Sequence, residues 1–172
     1  MNSNFIKKPN IIIVDDHLIF RKGLKAIINF EDIGSVIGEA SNGEEFIELL
    51  SALKPDLVLM DIDMPLMNGF EATIKALKVH PELKIIAFTS FSEEDYYTKM
   101  RDIGAKGFIL KSSGFNELEN AINCVMKGES YFNKKSQKET ENEWNPSEIN
   151  EDTKNEINSK KGKMLFFPWV VN

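Results

Sequence analysis

Five short apolar runs, at 11–14, 36–37, 57–60, 85–88 and 108–110, alternate along the chain with segments whose apolar residues keep helical spacing. Most of these runs are continuous rather than alternating, which is the pattern of parallel strands buried on both faces. Between them, Phe20, Leu24, Ile27 and Ile28 form one helical stripe. Phe46, Leu49, Leu50 and Leu53 form a second, and Phe70, Ile74 and Leu77 a third. Leu118, Ile122, Val125 and Met126 form the last. A weaker segment at 93–103 places only Tyr96, Met100 and Ile103 on one face, so it reads as a less firmly buried helix. Asn42 with Glu45, and Ser92 with Asp95, have the spacing of helix N-caps followed by an acid, and Gly128 stands where a helix ends. Five strands alternating with five helices predict an α/β domain with a doubly wound parallel sheet and helices on both faces.

Composition removes several function classes. The chain has 172 residues with 27 acidic and 21 basic side chains, a net charge of −6, which argues against a protein that coats nucleic acid. One cysteine, Cys124, excludes an intrachain disulfide or a cysteine-based metal cluster. No apolar run approaches the roughly 18 residues of a membrane span, and residues 1–10 lack a signal-like apolar region, so a cytoplasmic location without membrane contact is expected. Residues 134–172 hold seven basic and seven acidic residues, rich in Asn, Ser and Lys, before an abrupt apolar end at 164–171. Such a segment cannot bury enough surface to offset its ordering entropy. One domain at 9–133 and a mostly disordered polar tail at 134–172 are therefore expected.

In open α/β sheets, ligands bind at the carboxyl ends of the strands. The first run ends in Asp15 and Asp16, the third in Asp61 with Asp63 two residues on, the fourth in Thr89 and the fifth in Lys111. A lone aspartate at a strand end is usually a solvated turn residue. Three or four carboxylates, a hydroxyl and an ammonium at one sheet edge make a site. Crowded carboxylates repel one another unless a cation joins them, and a hard divalent ion such as Mg2+ suits oxygen ligands and phosphate groups. With a carboxylate as nucleophile, this set supports phosphoryl transfer onto aspartate.

The motifs IIVDDH at 12–17, LMDIDMPLMNG at 59–69, FTS at 88–90 and GFILK at 107–111 resemble the receiver domain of bacterial two-component response regulators. Asp15-Asp16-His17 followed by FRKGL at 20–24 is most similar to the LuxR/NarL subgroup. The resemblance implies a flavodoxin-like sheet of strand order 2-1-3-4-5. It implies that Asp61 accepts a phosphoryl group from a sensor histidine kinase or phosphotransfer protein. Asp16 and Asp61 would ligate Mg2+ directly, Asp15 through water, and the backbone carbonyl of Asp63 would complete the protein ligands. Thr89 and Lys111 would bind phosphoryl oxygens, and Phe108 occupies the position of the switch aromatic. Pro65 and Gly69 would shape the loop after the acceptor. His17 follows the acids as a subgroup signature without a catalytic role, and His80, before Pro81, reads as a surface histidine.

An Asp-nucleophile, Mg2+-dependent phosphohydrolase shares Asp61-Ile62-Asp63, but it calls for Thr or Val two residues after the second Asp, where this chain has Pro65 followed by Leu66, and for its further acidic pair downstream, not at Asp15 and Asp16. LuxR/NarL relatives carry a helix-turn-helix module, and the 39 residues after Asn133 are too few for one. A truncated regulator that has lost that module is the alternative reading. The expected protein is thus a signalling switch rather than a conventional enzyme. DNA binding is not expected, and output would pass to a homodimer or partner through the last two helices and fifth strand. Phe91 and Asp63 are expected to flank the approach of water to a phosphorylated Asp61, and neither orients it, so the phosphoryl group should be long-lived.

Overall fold

A computed structural model of the chain describes residues 8–132. The strands are β1 (Asn10–Val14), β2 (Ser35–Ala40), β3 (Leu57–Met60), β4 (Lys84–Thr89), β5 (Gly107–Leu110) and β6 (Tyr131–Phe132). The helices are α1 (Leu18–Phe30), α2 (Gly43–Ala52), α3 (Gly69–Val79), α4 (Glu94–Asp102) and α5 (Phe115–Met126). All strand pairs are parallel, in the order β2-β1-β3-β4-β5-β6. The expected 2-1-3-4-5 order is therefore present, with a sixth strand added at the β5 edge. The expected tail at 134–172 lies outside the described residues.

Side chains alternate across the sheet, as strand geometry requires. Ile11 and Ile13 join Leu24 and Ile28 of α1, and Leu118 and Ile122 of α5, in one core layer. Ile12 and Val14 join Phe46 of α2, and Ala72 and Ala76 of α3, in the other. β3 and β5 are buried at every position, while the edge strand β2 is mostly half-buried. That difference explains why only two residues of β2 stand out as an apolar run. Truncating a fully buried residue such as Ile12 to Ala would cost about 2–5 kcal/mol.

Helix ends follow local chemistry. The Asn42 carboxamide accepts from the Glu44 and Glu45 amides, and Glu45 accepts from the Ser41 amide and hydroxyl. At the end of α5, Gly128 adopts φ +90° and its amide donates to Val125, while the Glu129 amide reaches Cys124. This is a glycine-terminated helix end of the Schellman type.

Four expectations need correction, the first being Ile27 of the α1 stripe, which is exposed while Leu24 and Ile28 are buried. The N-cap of α4 is Glu93, without a side-chain hydrogen bond, rather than Ser92. The buried face of α4 carries Tyr97 and Met100, and Tyr96 is only half-buried. Ile74 is exposed, because α3 buries Phe70, Ala72, Thr73 and Ala76. Small residues form that face because α3 lies close to α2. A Cβ on Gly43 would fall 2.9 Å from that of Ala72.

Candidate functional site

Main-chain hydrogen bonds carry the ladder one step past the strand ends and set the acids in place. The Asp15 amide donates to Ala40 at 3.0 Å, and the Asp61 amide donates to Val14 at 2.8 Å. The Lys111 amide donates to Thr89 at 2.7 Å. Four residues from four strand ends are thereby fixed relative to one another. The return loop after Asp61 also needs a glycine. A Cβ at position 69 would come within 2.1 Å of the Asp61 carbonyl oxygen, and the Gly69 amide donates to Ile62. In the same loop, Leu66 holds φ +66°, which is strained for a residue with a branched side chain.

The Asp15 and Asp61 carboxylates are held alike. One oxygen of each accepts from a backbone amide, His17 for Asp15 at 2.8 Å and Ile62 for Asp61 at 2.7 Å. The other oxygen of each meets Lys111 Nζ, at 2.6 Å for Asp15 and 2.5 Å for Asp61. The Lys111 ammonium lies over the Phe20 ring, 4.7 Å from its centroid. Asp15 and Asp61 are buried, Asp16 half-buried and His17 exposed. Burial pushes the Asp61 carboxyl above its ordinary range. Lys111 opposes that shift and the Asp15 charge adds to it. For Lys111, burial works against the charged form, but hydrogen bonds to Asp15 and Asp61 outweigh it and the net shift is upward.

Ligand atoms of Asp15, Asp16, His17 and Asp61 all lie within 4.8 Å of one another. Asp16 Oδ1 is buried without a hydrogen bond, although His17 Nδ1 lies 2.9 Å away and pairs with it when protonated. An orphaned carboxylate oxygen beside two further carboxylates suits a hard divalent cation, so the residues fit Mg2+. Asp63 is exposed and its carboxylate stands outside this group. Thr89 is fully buried at the end of β4, its hydroxyl oxygen accepting weakly from the Phe91 amide at 3.4 Å. Phe108 lies inward, 5% exposed, against Tyr97. Phe91 stacks on Tyr96, with ring centroids 5.0 Å apart.

Sequence reasoning passed over two features. Arg21, one turn into α1, donates to the Asp15 main-chain carbonyl. A groove of about 360 Å3 starts at Lys111 and runs between α1 and the start of α5, past Ile19, Ile27, Phe88 and Phe115. Ile19 is 89% exposed, and the exposed Leu18, Ile27 and Phe30 extend the apolar surface of α1. Among the described residues, neither α4 nor α5 exposes a large apolar side chain.

Residues 11–123 match the response regulator receiver domain model. The chain belongs to this family. Oxygen regulatory protein NreC of Staphylococcus aureus is 38% identical over 146 residues, covering 84% of this chain and 67% of that protein. Response regulator GacA of Pseudomonas viridiflava is 38% identical over 122 residues, covering 71% of this chain. The receiver chain spans 57% of GacA's length. A LuxR-family two-component response regulator from Aurantimonas sp. SI85-9A1 superposes with a TM-score of 0.69 at 27% identity, covering 90% of this chain and 99% of its own. The response regulator domain of Thermotoga maritima CheB gives 0.60 at 31% identity, covering 69% of this chain and 93% of its own. No helix among the described residues is long and apolar enough to cross a membrane.

Proposed function

We propose that this receiver is a phosphorylation switch in which Asp61 takes a phosphoryl group from the phosphohistidine of a sensor kinase or phosphotransfer protein. The observation that carries the reading is the Lys111 ammonium bridging Asp61 and Asp15 inside a cluster of oxygen ligands. Asp61 Oδ2 attacks phosphorus, the bond from phosphorus to the histidine nitrogen breaks, and the departing imidazole takes up a proton. Asp15, Asp16, Asp61 and the Asp63 carbonyl would hold Mg2+, which supplies positive charge against the phosphoryl oxygens. Lys111 shifts from carboxylate to phosphoryl oxygen, and the Thr89 hydroxyl donates to another. Thr89 then draws on Phe91 and the start of α4, and Phe108 remains packed behind it.

The groove beside α1 is the docking surface for the phosphodonor. It ends at Lys111, so a helix lying on Ile19 and Ile27 would bring its histidine to the Asp61 edge. A cytoplasmic location belongs to the same reading. The experiment is labelling with acetyl phosphate and Mg2+ on a phosphate-affinity gel. Asp61→Asn should abolish the shifted band while the far-ultraviolet circular dichroism stays native. An undiminished band would move the acceptor elsewhere.

A second reading draws on the greater length of GacA and its kind. In it, the chain is the receiver part of a LuxR/NarL-type transcriptional regulator. Salt-sensitive, sequence-specific DNA binding by the 172-residue chain would refute protein contact as the output in either reading.

A further inference from the structure

We propose that Arg21 is the positioning residue for the metal-binding acid pair, with Glu39 on β2 as its anchor. The proposal rests on the reading of Asp15, Asp16 and Asp61 as the Mg2+ ligands. Arg21 Nη1 donates to the carbonyl of Asp15, which is the oxygen of the peptide unit joining Asp15 to Asp16. A peptide unit is a rigid plane, so holding its oxygen fixes the direction in which the chain leaves Asp15 and enters Asp16. Rotation of that plane is the easiest way to lose the pair, because it turns Asp16 away while leaving β1 intact.

The other end of Asp15 is held independently, by its amide hydrogen bond to Ala40. Glu39 precedes Ala40 on β2, and its Oε2 lies 4.0 Å from Arg21 Nε. Both of those atoms are buried without a hydrogen bond of their own. The Arg21 and Glu39 side chains are only 11% and 15% exposed, so the guanidinium has little room to leave. Lys22 and Lys25 meet the other carboxylate oxygen of Glu39, at 3.1 and 2.8 Å, from the solvent side and do not touch Arg21's partner oxygen. The edge strand, the first turn of α1 and the acid pair thus form one clamp. Asp16 contributes the oxygen that the clamp aims, buried without a hydrogen bond and with His17 Nδ1 2.9 Å from it.

The test is calorimetric titration of the full-length chain with MgCl2, well below the melting temperature. Arg21→Met should weaken Mg2+ binding about tenfold, the low end of what loss of a residue supporting a metal ligand costs. Acetyl phosphate labelling of Arg21→Met should require correspondingly more Mg2+ to reach half its maximum. Lys22→Met, which removes a neighbouring positive charge from the same Glu39, should keep near-wild-type affinity. Glu39→Gln should weaken binding by less than Arg21→Met, and serves if that variant does not fold. Unchanged affinity in Arg21→Met overturns the proposal, as does an equal loss in Lys22→Met, which would make the effect one of charge alone. Unchanged affinity in Glu39→Gln overturns the anchoring role. Failure of the underlying reading looks different: wild type would bind no Mg2+, or Asp16→Asn would bind as tightly as wild type.

Discussion

α1 and α4 each begin just after a strand end that supplies the site, yet the two are built in opposite ways. α1 follows Asp15 and Asp16 almost directly. It buries Leu24 and Ile28, sends Arg21 back to the Asp15 carbonyl, and leaves Ile19, Ile27 and Phe30 to solvent. α4 follows Thr89 after a short connection and shows a polar outer surface. It is held by Tyr97, Met100 and stacked rings. The contrast separates two tasks. A helix whose first turn holds the Asp15 carbonyl and whose exterior is apolar is suited to be docked upon, and a helix with a polar exterior beside Thr89 is suited to move.

The largest test acts on the docking side. Ile19→Asp places a charge in the apolar groove without touching the acids. Transfer from a kinase that phosphorylates the wild type should slow tenfold or more, since one lost interface anchor commonly costs about 2 kcal/mol. Labelling by acetyl phosphate, which needs no docking, should be unchanged. Equal slowing with both donors would mean that α1 serves the chemistry rather than the encounter.

The pH dependence tests the site that both helices share. Burial raises the Asp61 pKa, so lowering the pH protonates it before an ordinary carboxylate would respond. Mg2+ affinity should therefore begin to fall above the usual carboxylate range. For the metal-free fold the sign is reversed. A group with a raised folded pKa favours the fold while protonated, and that contribution is lost as pH rises through the folded value. Asp61→Asn should accordingly raise the metal-free melting temperature at neutral pH, with the gain shrinking as the solution is acidified. A lower melting temperature would show that the Lys111 pairing outweighs the burial cost.

A smaller effect is expected at Phe91. Its ring stacks on Tyr96, which in turn stacks on Phe70, and it offers no polar atom to an attacking water. Phe91→Asn should speed loss of the phosphoryl group by a few-fold, well below the roughly 100-fold of full general-base help. An unchanged decay, followed by phosphate release, would remove Phe91 from the control of lifetime.

What could be read in advance follows the same physics. The strand ends were legible because parallel strands buried on both faces leave continuous apolar runs, and the site is whatever follows each run. Asp15, Asp61, Thr89 and Lys111 stand at those ends, and the structure brings Lys111 onto both Asp15 and Asp61. β6 was not, since Tyr131 and Phe132 are too few to show a period, and their place depends on pairing with Gly107 and Phe108. Ile74 was misassigned because the tight contact between α2 and α3 selects Ala72, Thr73 and Ala76 for the buried face, and small residues leave no apolar stripe. Arg21 was invisible because it meets a backbone carbonyl and a glutamate on another strand.

The smallest expected effect probes how α4 is tethered. The Tyr97 hydroxyl donates to the Phe132 carbonyl at 2.8 Å, and its ring packs against both Phe108 and Phe132. Tyr97→Phe removes only the hydroxyl and leaves the Phe132 carbonyl half-buried without that donor, a loss of about 1 kcal/mol. The ring stays, so the core around Phe108 should survive. If α4 is the movable helix, its amides and those of β6 should exchange faster in this variant, while α1 amides protected by Leu24 and Ile28 stay unchanged. Faster exchange spread evenly over α1 and α4 would mean that the two helices share one unfolding unit. The division between a docking side and a moving side would then fail.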